Sequence, residues 1–288
     1  MLLVADSGST KADWRLVDDG MVTGEFSTIG FNPYFQKEDV ILAALRSNEL
    51  AGVAEKITAI FFYGSGCSSP ELNKIISDSL QKFFTHAKIT VEHDVLGSVL
   101  ATCGDEAGIS CILGTGSNSC YYDGKKVHEN NYGLGYILGD EGSGSYFGKK
   151  LVAYYLYRIL PPHLQEEFGK LYPLTKDSLI KTIYNNPNAN VYLASFSRFL
   201  SDRKKDEYVQ ELVKRGLAEF FDVCVCHYNG YQALPVHFVG SIAFYFEDLL
   251  REVAVEKGIH IGKVIKSPIG ELTNYFIEKG KKNKFQNH

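Results

Sequence analysis

The chain has 288 residues, of which 45% are hydrophobic and 22% are charged, with a formal net charge of -4 at pH 7. This length allows two domains with their own hydrophobic cores, and the charge excludes the strongly basic surface of a typical nucleic-acid-binding protein. The one basic cluster is the tail at 279–284, which we expect to be a frayed, solvated terminus.

The cysteine pattern and the hydropathy pattern limit the cellular setting. No two of the six cysteines have the C-x-x-C spacing of a metal or redox site, so we expect reduced and mostly buried thiols. No segment reaches the roughly 18 apolar residues that cross a bilayer, and the sequence opens on a predicted strand rather than a signal peptide. These features predict a cytoplasmic protein without nucleic-acid or membrane partners. A homodimer is the default expectation for its oligomeric state.

The first predicted elements are two strands joined by a polar turn. Residues 2–5 are apolar, and residues 12–17 alternate roughly between apolar and polar types, which indicates a hairpin with Gly8, Ser9 and Thr10 at its tip. We expect Gly8 to supply a positive φ angle. Neither a dinucleotide-binding motif nor a P-loop is present. Any anion bound at this tip is therefore held by a different geometry.

An α/β alternation follows the first hairpin. We predict helices over 38–50 and 70–84 and strands over 57–66 and 88–94. Asp94 ends the second of these strands, at the sheet edge where α/β proteins bind ligands, so it is well placed for chemistry. Asp94 is also a good N-cap for the helix that follows, and the two roles are compatible. Its neighbour His93 is expected to point to the opposite face of the strand.

Residues 110–127 repeat the plan of the first hairpin. An apolar strand, a Gly-Ser-Asn tip, a second strand and an Asp-Gly pair follow in order, and we align Gly116–Asn118 with Gly8–Thr10. The repeat predicts two similar half-molecules, each of which presents a small-residue hairpin to a shared cleft. The alternative is that two unrelated hairpins use the same common turn residues.

The two tips have the chemistry to hold a nucleoside triphosphate. Backbone N–H groups at glycine turns bind anions, and hydroxyl groups donate to phosphate oxygens. The hydroxyls available are those of Ser9, Thr10, Thr115 and Ser117. Asp6 ends the first strand beside this anion and would repel it unless a Mg²⁺ ion lay between them. Lys11 either neutralises the phosphates or is an ordinary solvated lysine.

The second half of the chain contains a glycine-rich segment, 131–148, just ahead of a helix predicted over 144–160. Its Asp140 and Glu141 are expected to hydrogen-bond substrate hydroxyls or to favour the positive end of that helix. Residues 161–229 are predicted to be helical. A strand, a Gly240-Ser241 turn and a helix follow over 236–246, and the turn is suited to the flat face of a purine. A strand, a loop and a last helix close the chain.

These motifs resemble the sugar kinase, heat-shock ATPase and actin superfamily, and more narrowly the N-acetylglucosamine kinase and BadF/BadG ATPase family. The resemblance spans nearly the whole chain and is carried, in order, by DSGST, GTGSN, HDVLGS, GLGYILGDEGS and FVGSIA. It implies an α/β fold of two ribonuclease H-like (actin-like ATPase) domains with an interdomain cleft and a helical insertion in the second domain. We expect the domains to be 1–108 and 109–288, with the last helix packing back on the first.

The resemblance also implies roles for individual residues. Asp94 would be the catalytic base, and Asp6 would be associated with the metal. The ATP-binding residues would be Gly8, Ser9, Thr10, Lys11, Thr115, Gly116, Gly240 and Ser241. The residues on the sugar side would be Asn32, Asp94, Asn118, Gly133, Leu134, Gly135, Tyr136 and Asp140. Leu134 departs from the larger aromatic residue that some relatives carry.

The implied reaction is ATP-dependent phosphorylation of the 6-hydroxyl of an amino sugar, N-acetylglucosamine first, with ATP and Mg²⁺ as cofactors. One alternative is a BadF-type ATPase that activates a partner enzyme through an iron-sulfur cluster, although Cys103 and Cys120 form no recognisable cluster motif. Another is a non-catalytic sugar sensor, which would have no reason to keep Asp6 and Asp94 together.

Overall fold

The computed structural model describes residues 1–8, 10–129, 133–186 and 188–286, in two compact units. Unit 1 is Met1–Asp105 with Ser267–His288, and unit 2 is Glu106–Lys266. The domain limits expected from the sequence, 1–108 and 109–288, remain a prediction. The structure groups the segment from Ser267 onwards with unit 1.

Unit 1 is built on a five-stranded sheet of order β3-β2-β1-β4-β5. Its strands are β1 (Leu2–Ser7), β2 (Lys11–Asp18), β3 (Met21–Ile29), β4 (Ala59–Gly64) and β5 (Lys88–His93). Its helices are α1 (Glu38–Arg46), α2 (Pro70–Phe83) and α3 (Asp94–Thr102), with short 3-10 turns at Glu49–Gly52 and Ala54–Lys56. Strands β1, β4 and β5 are parallel, so their carboxyl ends lie at one edge of the sheet.

Unit 2 has a second five-stranded sheet, of order β10-β9-β6-β7-β8. Its strands are β6 (Gly108–Leu113), β7 (Ser117–Tyr122), β8 (Val127–Glu129), β9 (Pro235–Val239) and β10 (His260–Ile265). Its helices are α4 (Gly135–Leu138), α5 (Gly144–Tyr157), α6 (Pro162–Leu171), α7 (Lys176–Asn185), α8 (Ala189–Ser195), α9 (Ser197–Ser201), α10 (Glu207–Cys224), α11 (Ser241–Tyr245) and α12 (Glu247–Glu256), with a 3-10 turn at Tyr231–Ala233. The predicted helical segment after residue 161 is thus an insertion between β8 and β9.

The two sheets have the same topology, which confirms the internal repeat. In each unit a hairpin is followed by a third antiparallel strand on one side, and parallel strands are added on the other. Two unrelated hairpins that happened to share turn residues would not be expected to sit in the same place in two equivalent sheets. The alternative of a chance resemblance is therefore rejected.

The alignment of the two tips was wrong. Strand β6 pairs with β7 so that Leu113 faces Ser117, which leaves Gly114–Gly116 as the turn and places Ser117 and Asn118 in the second strand. In unit 1, Ser7 faces Ala12, so the turn falls at 8–11. The Gly-Ser pair that both tips share suggested the wrong alignment, because backbone pairing rather than turn composition sets the register. Gly8 does not adopt a positive φ angle either.

Aromatic side chains dominate the core of unit 1. The ring of Trp14 lies 5.9 Å from that of Phe31 and 5.7 Å from that of Phe62, between centroids, and all three side chains are fully buried. Such contacts are each worth about 0.5–1.5 kcal/mol beyond simple burial. The cluster anchors β2, β4 and the loop after β3 to one another.

The last helix, α13 (Ile269–Gln286), belongs to unit 1 and packs against α3, β1 and β2. Its Phe276 stacks on Phe61 of β4 with ring centroids 4.1 Å apart. The backbone is helical through the basic segment, so the prediction of a frayed tail at 279–284 was wrong. Across the described residues, no helix combines the length and apolar character that crossing a membrane requires.

Candidate functional site

Asp6 lies at the carboxyl end of β1, in the centre of the parallel edge of unit 1. Its strand neighbours are Asp13 on β2 and Tyr63 on β4. Burial, and to a smaller extent the nearby carboxylates of Asp94 and Asp13, raise the pKa of the Asp6 carboxyl to about 7, although a hydrogen bond with Ser267 acts in the opposite direction. A cation at this position would relieve that repulsion.

Asp94 is the first residue of α3, immediately after β5. The N-cap position is His93, which makes no side-chain cap hydrogen bond, so the interpretation of Asp94 as the N-cap was wrong. Helix α3 is held close to β4 because Gly97 lies against Tyr63, where an added Cβ would come within 2.8 Å of the tyrosine Cβ. The carboxylate of Asp94 therefore sits at a fixed helix start at the same sheet edge as Asp6.

His93 contacts Asp94, which the sequence did not predict. Its Nε2 lies 3.4 Å from Asp94 Oδ1, and both side chains are largely buried. Alternation along a strand predicted opposite faces, but β5 ends at His93 and the backbone turns into a helix there. The signal that could have found this contact is the strand-to-helix change between the two residues.

The turn at 8–11 in unit 1 presents the predicted phosphate-binding residues to solvent. Gly8 N donates to Lys11 O at 3.0 Å, which closes the turn, and Gly30 N donates to Thr10 O at 3.0 Å. Gly8, Thr10 and Lys11 are exposed, whereas Ser9 lies outside the described residues. The ammonium of Lys11 lies 2.7 Å from Asp13 Oδ1. Lys11 is thus paired with a carboxylate in addition to being solvated.

Asn32 lies in the loop after β3, near the ends of β1 and β4. Its Oδ1 accepts a hydrogen bond from Tyr34 N at 3.0 Å, and the side chain is buried. Gly66 packs against it with φ +82, and an added Cβ there would lie 2.5 Å from Asn32 Oδ1. The structure therefore brings Asp6, Asp94 and Asn32 to one edge of unit 1.

In unit 2, the turn Gly114–Gly116 is joined to the loop around Asp140. Gly116 leaves room for that carboxylate, because a Cβ at Gly116 would lie 2.8 Å from Asp140 Oδ2. The backbone N–H of Ser117 donates to Asp140 Oδ1 at 3.3 Å. Asp140 is buried with φ 59, and burial raises the pKa of its carboxyl. Its carboxylate is hydrogen-bonded both to the turn, through Ser117, and to Ser145 in the first turn of α5.

The start of α5 is tied to the same turn. Gly144 N donates to Gly114 O at 2.8 Å, and Ser145 N donates to Thr115 O at 3.0 Å. The side chain of Ser143 caps the helix by accepting from Tyr146 N. The first N–H groups of α5 are therefore occupied by protein oxygens, and the helix end holds the turn in place.

Four more predicted sugar-side residues follow one another at 133–136, and the first of them lies beside Asn118 on β7. Gly133 is adjacent, since an added Cβ would lie 3.3 Å from Asn118 Oδ1. Leu134 is 57% exposed, and Gly135 begins α4 with φ 71. The carbonyl of Tyr136 accepts a hydrogen bond from Lys149 Nζ at 2.7 Å.

Gly240 immediately follows β9 and lies against the turn of unit 2. Its φ of 127 is open to glycine only, and a Cβ there would overlap the carbonyl oxygen of Leu113. Ser241 then begins α11. The predicted adenosine residues thus adjoin Gly114, the first residue of the predicted phosphate-binding turn.

The donor set of unit 1 fits a magnesium ion. Mg²⁺ prefers oxygen ligands and usually takes only one or two protein carboxylates beside its waters. Asp6, with its raised pKa and its carboxylate neighbours, supplies such a ligand. Among the described residues, no three His, Cys, Asp or Glu side chains are grouped as a cage for a metal.

The similarity of this chain to known proteins comes from solved structures. No protein-family model and no curated protein matches the chain. A crystal structure of a "putative N-acetylglucosamine kinase" from Porphyromonas gingivalis matches with a TM-score of 0.92 and 39% identity, over 97% of this chain and 100% of that chain. The chain belongs to the N-acetylglucosamine kinase family.

More distant structures share the fold of the N-acetylglucosamine kinase family. A second "putative N-acetylglucosamine kinase", from Chromobacterium violaceum, matches with a TM-score of 0.71 and 18% identity, over 96% of this chain and 98% of that chain. A glucokinase of the ROK family from Streptomyces griseus, solved with glucose and AMPPNP, matches with a TM-score of 0.55 and 14% identity, over 95% and 97%. At these identities only the two-domain sugar kinase fold is shared.

Proposed function

We propose that this protein is an ATP-dependent sugar kinase that phosphorylates the 6-hydroxyl of an amino sugar, with N-acetylglucosamine as its preferred substrate. The observation that carries the proposal is the pair of carboxylates Asp6 and Asp94 at the parallel edge of unit 1, near enough for Asp94 to raise the pKa of Asp6. A kinase of this family needs both a metal-associated acid and a general base. A protein that only binds sugar has no need for the two groups together.

Phosphoryl transfer depends mainly on positioning and on neutralising charge. In this proposal Asp94 accepts the proton of the sugar hydroxyl and orients that hydroxyl towards the γ-phosphate. His93, 3.4 Å from Asp94 Oδ1, orients the carboxylate. Asp6 would hold Mg²⁺, which supplies positive charge to the phosphates when it is bound.

The remaining residues bind and orient. In unit 1, the exposed turn with Gly8, Thr10 and Lys11 contacts phosphate oxygens. In unit 2, Thr115 and Gly116 contact phosphate, and Gly240 with Ser241 receives the adenosine. The sugar is held by Asn32, Asn118, Asp140 and the segment 133–136. Asp140 keeps a buried carboxylate close to a fixed turn, an arrangement that suits a bidentate contact with sugar hydroxyls.

The cysteines argue against the alternative of a partner-activating ATPase. A cluster shared between two copies needs exposed thiols on one surface. Cys103 and Cys120 are both buried, and they belong to different units. The buried sulfur atoms therefore favour the kinase over the activator.

A coupled assay of ADP release tests the proposal. Turnover is measured with glucosamine, N-acetylglucosamine, N-acetylmuramic acid and glucose, and without sugar. We expect ATP turnover to depend on an amino sugar and to be fastest with N-acetylglucosamine. Phosphate transfer to carbon 6 is then checked by NMR of the product. Equal ATP turnover with and without every sugar would contradict the kinase, and an assay of bound iron would then test the activator.

A further inference from the structure

Ser7 is a buried hydroxyl next to Asp6 that none of the roles above uses. It is the last residue of β1, fully buried, and paired with Ala12 on β2 and Gly64 on β4. Its Oγ accepts a hydrogen bond from the backbone N–H of Phe31 at 2.9 Å. Its carbonyl oxygen accepts another from Ser65 N at 2.8 Å.

These two bonds connect three segments at the parallel edge. Phe31 immediately precedes Asn32, and Ser65 immediately precedes Gly66, which packs against the Asn32 side chain. The ring of Phe31 is fixed in the core against Trp14 and Phe62. The Ser7 hydroxyl therefore fixes the start of the Asn32 loop through Phe31 N, and Gly66 packs against the Asn32 side chain.

Hydrogen bonds within the Asn32 loop couple the position of its backbone to the position of the Asn32 side chain. Asn32 O accepts from Phe35 N at 3.0 Å and from Gln36 N at 2.8 Å, and Asn32 Oδ1 accepts from Tyr34 N at 3.0 Å. Because Oδ1 is used inside the loop, the amide NH₂ group has a fixed direction. A shift of the Phe31 backbone would carry that donor group with it.

We propose that Ser7 is a positioning residue that fixes Asn32 for binding of the sugar. The inference rests on the proposed function, because it assumes that Asn32 contacts the sugar. A buried backbone N–H that loses its acceptor must either remain unsatisfied or move towards water. Movement of the Phe31 amide displaces the Asn32 loop. The turn at 8–11 is joined to this segment through Gly30 N and Thr10 O but keeps its own closing bond from Gly8 N to Lys11 O, so we expect it to move less.

The variant Ser7→Ala removes the acceptor of the Phe31 N–H, together with the longer hydrogen bond that the same hydroxyl donates to Gly8 O at 3.4 Å. We expect the KM for N-acetylglucosamine to rise by about 5- to 160-fold, the range that corresponds to one unsatisfied buried donor, and the KM for ATP to rise by a smaller factor. Ser79→Ala is the matched control. Ser79 is also fully buried in unit 1, but its hydroxyl donates to Ile75 O within α2, so neither KM should change.

A structural readout complements the kinetics. Hydrogen-deuterium exchange should be faster for the Phe31 amide in Ser7→Ala than in the unaltered protein and Ser79→Ala. If Ser7→Ala does not fold, Ser7→Cys keeps the side-chain size with a weaker acceptor and should shift the sugar KM in the same direction. A sugar-dependent enzyme whose sugar KM stays within twofold in the folded variant would overturn this inference alone. An unaltered protein whose ATP turnover ignores every sugar would overturn the proposed function and the sugar-side role of Ser7 with it.

Discussion

Replacing Asp94 by Asn separates its chemical role from its structural one. The side chain keeps its shape but can no longer accept a proton, and removal of a general base typically lowers kcat by about 10² to 10⁴. This loss equals ~2.7–5.4 kcal/mol of transition-state stabilisation. Binding of the sugar should change much less, because Asn still offers an oxygen and an amide to the hydroxyl.

The structural effect of the same substitution should be small. Asp94 is the first residue of α3 and is not its cap, so the helix loses the interaction of one charge with its dipole, about 0.3–1 kcal/mol, and the contact with His93 loses its carboxylate charge. Removing the charge also relieves the repulsion that raises the pKa of Asp6. The two effects oppose each other, so the free energy of unfolding should change by less than about 1 kcal/mol.

The assay is steady-state ADP release at saturating ATP and sugar, together with urea unfolding of both proteins. Asp13→Asn is the matched control, because Asp13 also raises the pKa of Asp6 but lies on β2, away from the helix start. We expect its kcat to fall far less than that of Asp94→Asn. A folded Asp94→Asn protein with a near-normal kcat would refute the base, and Asp140 would be the next carboxylate to examine.

Three further outcomes follow from unit 2. Gly240→Ala should weaken AMPPNP binding by at least about tenfold in calorimetry, because its Cβ would overlap Leu113 O at a φ costing about 1–3 kcal/mol; Gly270→Ala, in open space, is its control. Gly116→Ala should raise the sugar KM about tenfold or more by displacing Asp140, and an unchanged KM would remove Asp140 from the sugar site. Burial lowers the pKa of His237 to about 4, with Lys263 and His260 adding to the effect. The folded pKa lies below the unfolded value of about 6.5, so the unfolded state binds the proton first as the pH falls. The stability that neutral His237 contributes is therefore complete above pH 6.5 and falls by at most about 3 kcal/mol towards pH 4. Urea unfolding of His237→Asn should lack that slope.

Much of the fold was predictable because the apolar patterns are regular. The repeated hairpin, the parallel strands after it and the helical insertion all follow from periodicity and turn residues in short windows. The carboxyl-edge rule predicted the place of Asp94, and Asp6, 88 positions earlier in the chain, ends a strand at the same edge. That rule depends only on strand direction, and strand direction follows from the α/β alternation.

The details that sequence reasoning missed are set by contacts between distant segments. The register of the second tip depends on which residues of β6 and β7 pair, and Gly-Ser letters do not report that pairing. The approach of Gly240 to Leu113 joins positions 127 residues apart. Similarly, in the sequence Ser7 is one more small residue beside a turn, and only the fold shows that its hydroxyl accepts a hydrogen bond from Phe31 N. Such contacts depend on packing, which local patterns do not encode.

The two units share one topology, but their equivalent strands end in different chemistry. Strand β1 ends in Asp6 and Ser7, beside the helix start that carries Asp94, whereas β6 ends in the buried apolar Leu113 and is followed by Gly114. Because Ser7 and Leu113 are both the last residues of their strands, the position on β6 that corresponds to Asp6 is the apolar Ile112. At this strand end the backbones of Gly240 and Leu113 approach each other closely, an arrangement that suits binding of a ligand. Under the proposed function, the repeat has therefore divided the work, with the acid and the base on the sheet of unit 1 and a tightly packed glycine turn on the sheet of unit 2.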